Sequence, residues 1–103
     1  MVDFGNPVGR EQSGRRPAVV VSPDPLNDSH AGVVIVVPTT TTLRELPSHV
    51  EIEPNGSGLD EVSYAKCEDL KSVSSLRLIG RLGVVNDEVR FRVGRALRFL
   101  LDL

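Results

Sequence analysis

Apolar residues along this chain fall into short blocks separated by polar, Gly- and Pro-rich breaks, and the spacing inside the blocks turns helical only near the end. Residues 1–4 alternate briefly and read as the end of a strand, and residues 5–14 read as loop from their Gly, Pro and Asn content. Ala18-Val19-Val20-Val21-Ser22 is a continuous β-branched run that predicts a buried strand. A second loop follows at Pro23-Asp24-Pro25 and Asn27-Asp28. Residues 32–38, centred on Val33-Val34-Ile35-Val36-Val37, predict another buried strand that Thr39-Thr40-Thr41-Thr42 continues into a polar rim. Val50-Glu51-Ile52-Glu53 alternates cleanly, which predicts a half-buried strand with its carboxylates outward.

Pro54-Asn55-Gly56-Ser57-Gly58 reads as a turn. Residues 62–65 predict a short strand, 68–74 a single helical turn, and 76–85 a strand bent at Gly80 and Gly83. The end is helical. Asn86 or Asp87 can cap the helix, and Glu88 suits its positive N-terminal dipole. Val89, Val93, Ala96, Leu97, Leu100 and Leu101 recur at helix spacing and form one apolar face. About five or six short strands before one amphipathic helix predict a single domain over residues 1–103, mainly β (α+β). Its expected shape is a small, strongly curved barrel closed or covered by the C-terminal helix.

Composition limits the chemistry more than the fold. Aromatics make up only 4% of the chain and Trp is absent, so the core rests on Val, Leu, Ile and Ala. The net charge of −2 argues against a strongly basic nucleic-acid binder, but the charges are unevenly placed. Arg10, Arg15 and Arg16 crowd one loop, and Arg77, Arg81, Arg90, Arg92, Arg95 and Arg98 fill the C-terminal quarter. The acids gather in the middle. Only Lys66 and Lys71 among the 12 cations are Lys, and Arg suits planar, bidentate phosphate contacts. Arg92, Arg95 and Arg98 can equally guide RNA or solubilise the helix.

Cys67 is alone, which excludes a disulfide within the chain, and the carboxylates of Glu68 and Asp69 beside it disfavour a reactive thiolate. His30 and His49 lack metal-ligand spacing and read as structural or exposed residues, His30 beside Asp28-Ser29 being the better catalytic candidate. No metal or cofactor is expected. Neither a signal peptide nor a membrane-length apolar run is present, so a cytoplasmic protein is the default. No nucleophile elbow and no Walker loop occurs.

The strongest chemical signal is Arg10-Glu11-Gln12-Ser13-Gly14-Arg15-Arg16-Pro17, a polar loop running straight into the first apolar block. Pro17 fixes the backbone at the junction and biases Arg16 towards extended conformations. A guanidinium held at the mouth of a strand beside Glu11, Gln12 and Ser13 can bind phosphate and stabilise developing negative charge. Glu11 can move a proton or pair with Arg15. The hydroxyls of Thr39, Thr40 and Thr41 either fill a strand edge or reach phosphate oxygens near Arg16.

The run from Glu11 through Arg16-Pro17 to Ser22 resembles the loop and strand of the MazF/PemK family of toxin endoribonucleases. The resemblance continues through Val36-Val37-Pro38-Thr39-Thr40-Thr41, Pro47-Ser48-His49-Val50-Glu51-Ile52, Gly58-Leu59, residues 63–68 and Arg77-Leu78-Ile79-Gly80-Arg81-Leu82. It ends in the terminal helix at Ala96-Leu97-Arg98-Phe99-Leu100-Leu101, and so covers nearly the whole chain in order.

That resemblance implies an SH3-like, CcdB-type barrel with a C-terminal helix, a twofold homodimer, and sequence-specific, metal-independent cleavage of single-stranded mRNA, rRNA or tRNA. The substrate's 2′-hydroxyl would attack, leaving a 2′,3′-cyclic phosphate and a 5′-hydroxyl. By position, Arg16 matches the family's essential arginine, Thr40 its essential threonine and Glu11 a loop acid of the active site. Arg10, Gln12, Ser13, Arg15, Ser22, Thr39 and Thr41 are the expected RNA-binding residues. The implied partner is a MazE-like antitoxin whose tail folds over the RNA groove.

Family members usually carry several residues ahead of the equivalent of Val2-Asp3-Phe4, so either the first strand is short or the natural start lies upstream. Two rival readings share the fold. A CcdB-like DNA gyrase poison relies on a C-terminal tryptophan, whereas this chain has no Trp and ends Leu101-Asp102-Leu103. The other rival is a catalytically silent barrel that only binds a partner.

Overall fold

The computed structural model describes residues 1–5 and 14–103. Arg10, Glu11, Gln12 and Ser13 lie outside the described residues. Strands β1 (Val2–Asp3) and β2 (Arg15–Arg16) pair antiparallel, with Val2 opposite Arg16 and Asp3 opposite Arg15. A larger sheet holds β3 (Ala18–Val20), β4 (Val33–Thr40), β5 (His49–Ile52), β6 (Ser63–Lys66) and β7 (Lys71–Ser74). Its order is β3-β4-β6-β5, with β7 also paired to β4. The architecture is the expected one, mostly β and barrel-like with a C-terminal helix, α2 (Asp87–Leu101). The sheet does not close on itself, because β3 and β5 stand at its two ends.

The β-branched run of β4 organises the molecule because it contributes to both faces. Val37 packs with Val50, Ile52, Ala65 and Cys67 under Val89 and Val93 of α2. Val34 and Val36 point the opposite way and pack with Val2, Phe4 and Val73. Pro38 is fully buried and falls between the β7 ladder, which ends at Val36, and the β6 ladder, which starts at Thr39. A missing N–H costs no ladder bond at such a handover.

The alternation read in residues 50–53 is present: Val50 and Ile52 are buried while Glu51 and Glu53 are exposed. Helix α2 starts where the sequence places it. The Asn86 side chain accepts from the Val89 N–H at 2.9 Å, so Asn86 and not Asp87 is the cap. Its apolar face is shorter than the spacing suggests. Val89 and Val93 are buried and Ala96 and Leu97 half-buried, whereas Leu100 and Leu101 are exposed.

Four local expectations are corrected. Residues 18–22 are not a buried strand: β3 is an edge strand, and Val20 remains 44% exposed. The loop at residues 23–28 contains a helical turn, α1 (Asp24–Asn27), whose first turn tolerates Pro25 because its N–H needs no helical partner. Residues 68–74 hold a strand as well as a turn. The turn is a 3₁₀ segment at Cys67–Asp69, and β7 follows because Val33 to Val36 offer it a free edge. Finally, residues 76–85 do not form a strand. After a 3₁₀ turn at Ser75–Arg77, a single bridge joins Leu78 to Val2 and the rest is irregular. This strap lies against the turn at residues 55–58 so closely that a Cβ on Gly58 would stand 2.0 Å from the Leu82 carbonyl oxygen. Its apolar residues and glycines therefore serve close packing and not a ladder.

Candidate functional site

Pro17 joins β2 to β3, and its carbonyl is held twice by one residue. It accepts from the Thr39 N–H at 3.3 Å and from Thr39 Oγ1 at 3.0 Å. The β3–β4 ladder pairs Ala18 with Pro38, and these bonds carry the same register on to Pro17 and Thr39. Arg16 and Thr40 are the next residues along the two strands beyond that contact. Arg16 is also held from its other side, since its strand pairs with β1. The base of that hairpin is pinned. Phe4 N–H donates to the Gly14 carbonyl at 2.9 Å, and Gly14 N–H donates to the Gly5 carbonyl at 2.8 Å. Asp3 Oδ1 accepts from the Gly5 N–H, and Arg77 Nη1 donates to the Asp3 carbonyl at 3.1 Å.

The same row extends across the sheet. Thr40 is directly opposite Tyr64 on β6, and Tyr64 is directly opposite Glu51 on β5. Directly paired residues share a face. Thr40 and Tyr64 are half-buried and Glu51 is exposed, on the side of β5 and β6 away from Val50, Ile52 and Ala65. Thr40, Tyr64 and Glu51 thus form one polar line across the end of the sheet, and Arg16 adjoins the Pro17–Thr39 contact that borders it. A guanidinium next to a hydroxyl suits an anion such as phosphate. Thr40 Oγ1 accepts from the Thr42 N–H at 3.2 Å, which fixes the hydroxyl oxygen while leaving its proton free to donate.

The other expected residues divide. Arg15 is exposed beside Arg16 in β2, and Thr41 is exposed at the bend after β4. Thr39 points into the sheet, 5% exposed, with its hydroxyl committed to Pro17. Ser22 lies at the far end of β3, where its hydroxyl bonds to Asn27 Oδ1 and accepts from the Ile35 N–H at 2.9 Å. It is not brought to Arg16 and Thr40.

The histidines also separate. His30 is exposed in the loop before β4. The His49 side chain is buried, with Nε2 at 2.8 Å from Glu68 Oε2 and Nδ1 without a hydrogen-bond partner among the described residues. Burial tends to raise the Glu68 pKa. Hydrogen bonds from His49, from its own backbone N–H and from Ser48, with the charge of His49, outweigh that and hold it below the ordinary carboxylate value. The Cys67 thiol is pushed up to about 11, first by burial and then by Glu68, which matches the unreactive cysteine expected.

Among the described residues no three His, Cys, Asp or Glu side chains gather as metal ligands, and no helix is long and apolar enough to cross a membrane. Tyr64 and Glu51 were missed as members of the site. The outward position of Glu51 is visible in the alternation of residues 50–53, but its alignment with Thr40 depends on a register between distant strands.

The family model described as PemK-like, MazF-like toxin of type II toxin–antitoxin system matches residues 1–101. Endoribonuclease MazF9 of Mycobacterium tuberculosis (strain ATCC 25618 / H37Rv) is 33% identical over 107 aligned positions, covering 99% of this chain and 91% of that protein. The crystal structure of MazF from Deinococcus radiodurans superposes with a TM-score of 0.81 at 28% identity, covering 99% of this chain and 90% of that one. An endoribonuclease in complex with its cognate antitoxin, from a mycobacterial species, gives a TM-score of 0.80 at 26% identity, covering 99% and 88%. With the match running from the first strand to the last turn of α2, this chain belongs to the PemK-like, MazF-like toxins of type II toxin–antitoxin systems.

Proposed function

We propose that this chain is a sequence-specific endoribonuclease toxin that cuts single-stranded mRNA, rRNA or tRNA in the cytoplasm and so stops translation and growth. The observation that supports the reading is the pair of hydrogen bonds from Thr39 to the Pro17 carbonyl, because Arg16 and Thr40 are the residues that flank that contact. In-line attack by the substrate 2′-oxygen on the neighbouring phosphorus breaks the bond to the 5′-oxygen. A 2′,3′-cyclic phosphate and a 5′-hydroxyl remain. Charge on the phosphoryl oxygens grows along that path, and Arg16 and the Thr40 hydroxyl are donors fixed in place before the charge develops. The 2′-hydroxyl proton must leave and the 5′-oxygen must gain one. On the family resemblance Glu11 is the candidate base and Arg16, despite its high pKa, the candidate acid that returns a proton to the 5′-oxygen.

The reaction so written needs no metal ion, since the guanidinium supplies the positive charge. The kinship with an endoribonuclease solved together with its antitoxin supports a MazE-like partner whose tail covers the RNA groove. Large apolar side chains left open on α2, with Phe91 64% and Phe99 80% exposed, support further burial in a homodimer or under that tail.

The test is cleavage of a mixed single-stranded RNA pool in EDTA with the new ends typed chemically. Cuts at a short sequence with cyclic phosphate and 5′-hydroxyl ends are expected. Ends of the opposite polarity, or activity that returns only with Mg²⁺, would overturn the mechanism. An uncut pool from folded protein would return the gyrase-poison and silent-binder readings.

A further inference from the structure

We infer that Tyr64 and Glu51 form a base-reading subsite beside the phosphate centre, one that stacks a nucleobase and selects those presenting an amino group. This rests on the ribonuclease reading of Arg16 and Thr40. The juxtaposition is set by two strand registers: Thr40 opposite Tyr64, and Tyr64 opposite Glu51. Each step across an antiparallel pair is about 5 Å, so the ring stands one step, and the carboxylate two steps, from the threonine that would hold the phosphate. A nucleotide bound by its phosphate at Arg16 and Thr40 can lay its base along that line.

Tyr64 is the chain's one tyrosine, and it is the aromatic residue in the row. Phe4 is buried in the core under the Lys71 ammonium, and Phe91 and Phe99 belong to α2. Tyr64 is half-buried, which fixes the ring while leaving part of it open. Tyr64 and Glu51 also line part of an open surface groove whose other residues include Leu43, Pro47 and Phe91. Single-stranded RNA is read by stacking unstacked bases on aromatic side chains and by hydrogen bonds to their edges. A carboxylate offers only acceptors. Glu51 therefore favours adenine, cytosine or guanine, whose exocyclic amino groups donate, over uracil, whose one edge donor, N3–H, lies between two carbonyl oxygens that a carboxylate repels.

Randomised single-stranded RNA cut by wild type, Tyr64→Ala, Tyr64→Phe and Glu51→Gln, with sites sequenced and kcat/KM measured on the preferred site, tests this. Wild type should require an amino-bearing base at one position flanking the cut. Tyr64→Ala should lower kcat/KM roughly tenfold or more and flatten the preference at that position, while Tyr64→Phe keeps both. Glu51→Gln, at an exposed position that folding does not depend on, should admit uracil there, because an amide donates as well as accepts. Variants that cut with the wild-type preference at every position would overturn the subsite and leave the ribonuclease standing. A folded wild type that cuts nothing would instead overturn the ribonuclease reading itself.

Discussion

Thr39 and Thr40 are neighbours with the same side chain, and the sheet puts them to opposite uses. Thr39 turns to the face covered by α2, is buried, and spends its hydroxyl on the Pro17 carbonyl. Thr40 turns to the other face, stays half-exposed, and stands in line with Tyr64 and Glu51. The inner residue makes the geometry and the outer one uses it. The inner bonds hold β4 against the segment that carries Arg16, while the β4–β6 and β5–β6 ladders place Tyr64 and Glu51, so damage to the two faces should read out in different measurements.

The largest expected effect is on the outer face. Arg16→Ala should slow single-turnover cleavage by about 10³-fold or more, since it removes the cationic donor to the transition state. Arg16 is exposed, so circular dichroism and Tm should stay close to wild type. Retained cleavage by the folded variant would end the role. Thr40→Ala should cost about 10²-fold in the same assay, as loss of one neutral donor does, with thermal stability little changed. Thr39→Ala reverses the pattern. Losing one buried hydrogen bond should cost about 1 kcal/mol, read as a fall of roughly 4–8 °C in Tm, with the cleavage rate of the folded protein reduced far less than in Thr40→Ala. Equal kinetic damage from Thr39→Ala and Thr40→Ala would erase the division between the faces.

The smallest effect concerns the buried pair away from the row. Glu68 is held below its ordinary carboxylate value, so its contribution to stability is present above that range and disappears as pH falls through it. Melting curves from neutral to acid pH should therefore fall less steeply for Glu68→Gln than for wild type. The gap at neutral pH should be below about 1 kcal/mol, because the carboxylate is partly exposed. A steeper acid fall in Glu68→Gln would show that the pair has been read with the wrong sign.

Much of the inner face is legible in the amino-acid sequence. The continuous apolar run of β4, the alternation of β5 and the Asn86 cap follow from local periodicity and capping chemistry, and each lies within the element where it was expected. The extended Arg16 before Pro17 is legible for the same local reason. Where reading fails, the decisive contact is long-range. β7 has one buried apolar residue, Val73, and owes its strand to the free edge of β4. Residues 76–85 look like a strand because they are apolar, but their glycines pack on the turn at 55–58 and their backbone finds no ladder. His49 gains its partner Glu68 from a strand and a turn nineteen residues apart, a pairing with no local signature. The line from Thr40 to Glu51 is of this second kind. Its members are ordinary residues in three separate strands, and only the registers align them.

Arg16 and Thr40 are proposed to act on one phosphate, and a double-mutant cycle on single-turnover cleavage in EDTA would reveal that shared role. Arg16→Lys and Thr40→Ala keep rates measurable, because Lys retains charge without the planar fork. The account predicts strong coupling, with the double variant only slightly slower than the slower single variant, as for groups that act as a unit. Rate losses that simply multiply would place the two side chains on separate tasks and contradict the shared phosphate site.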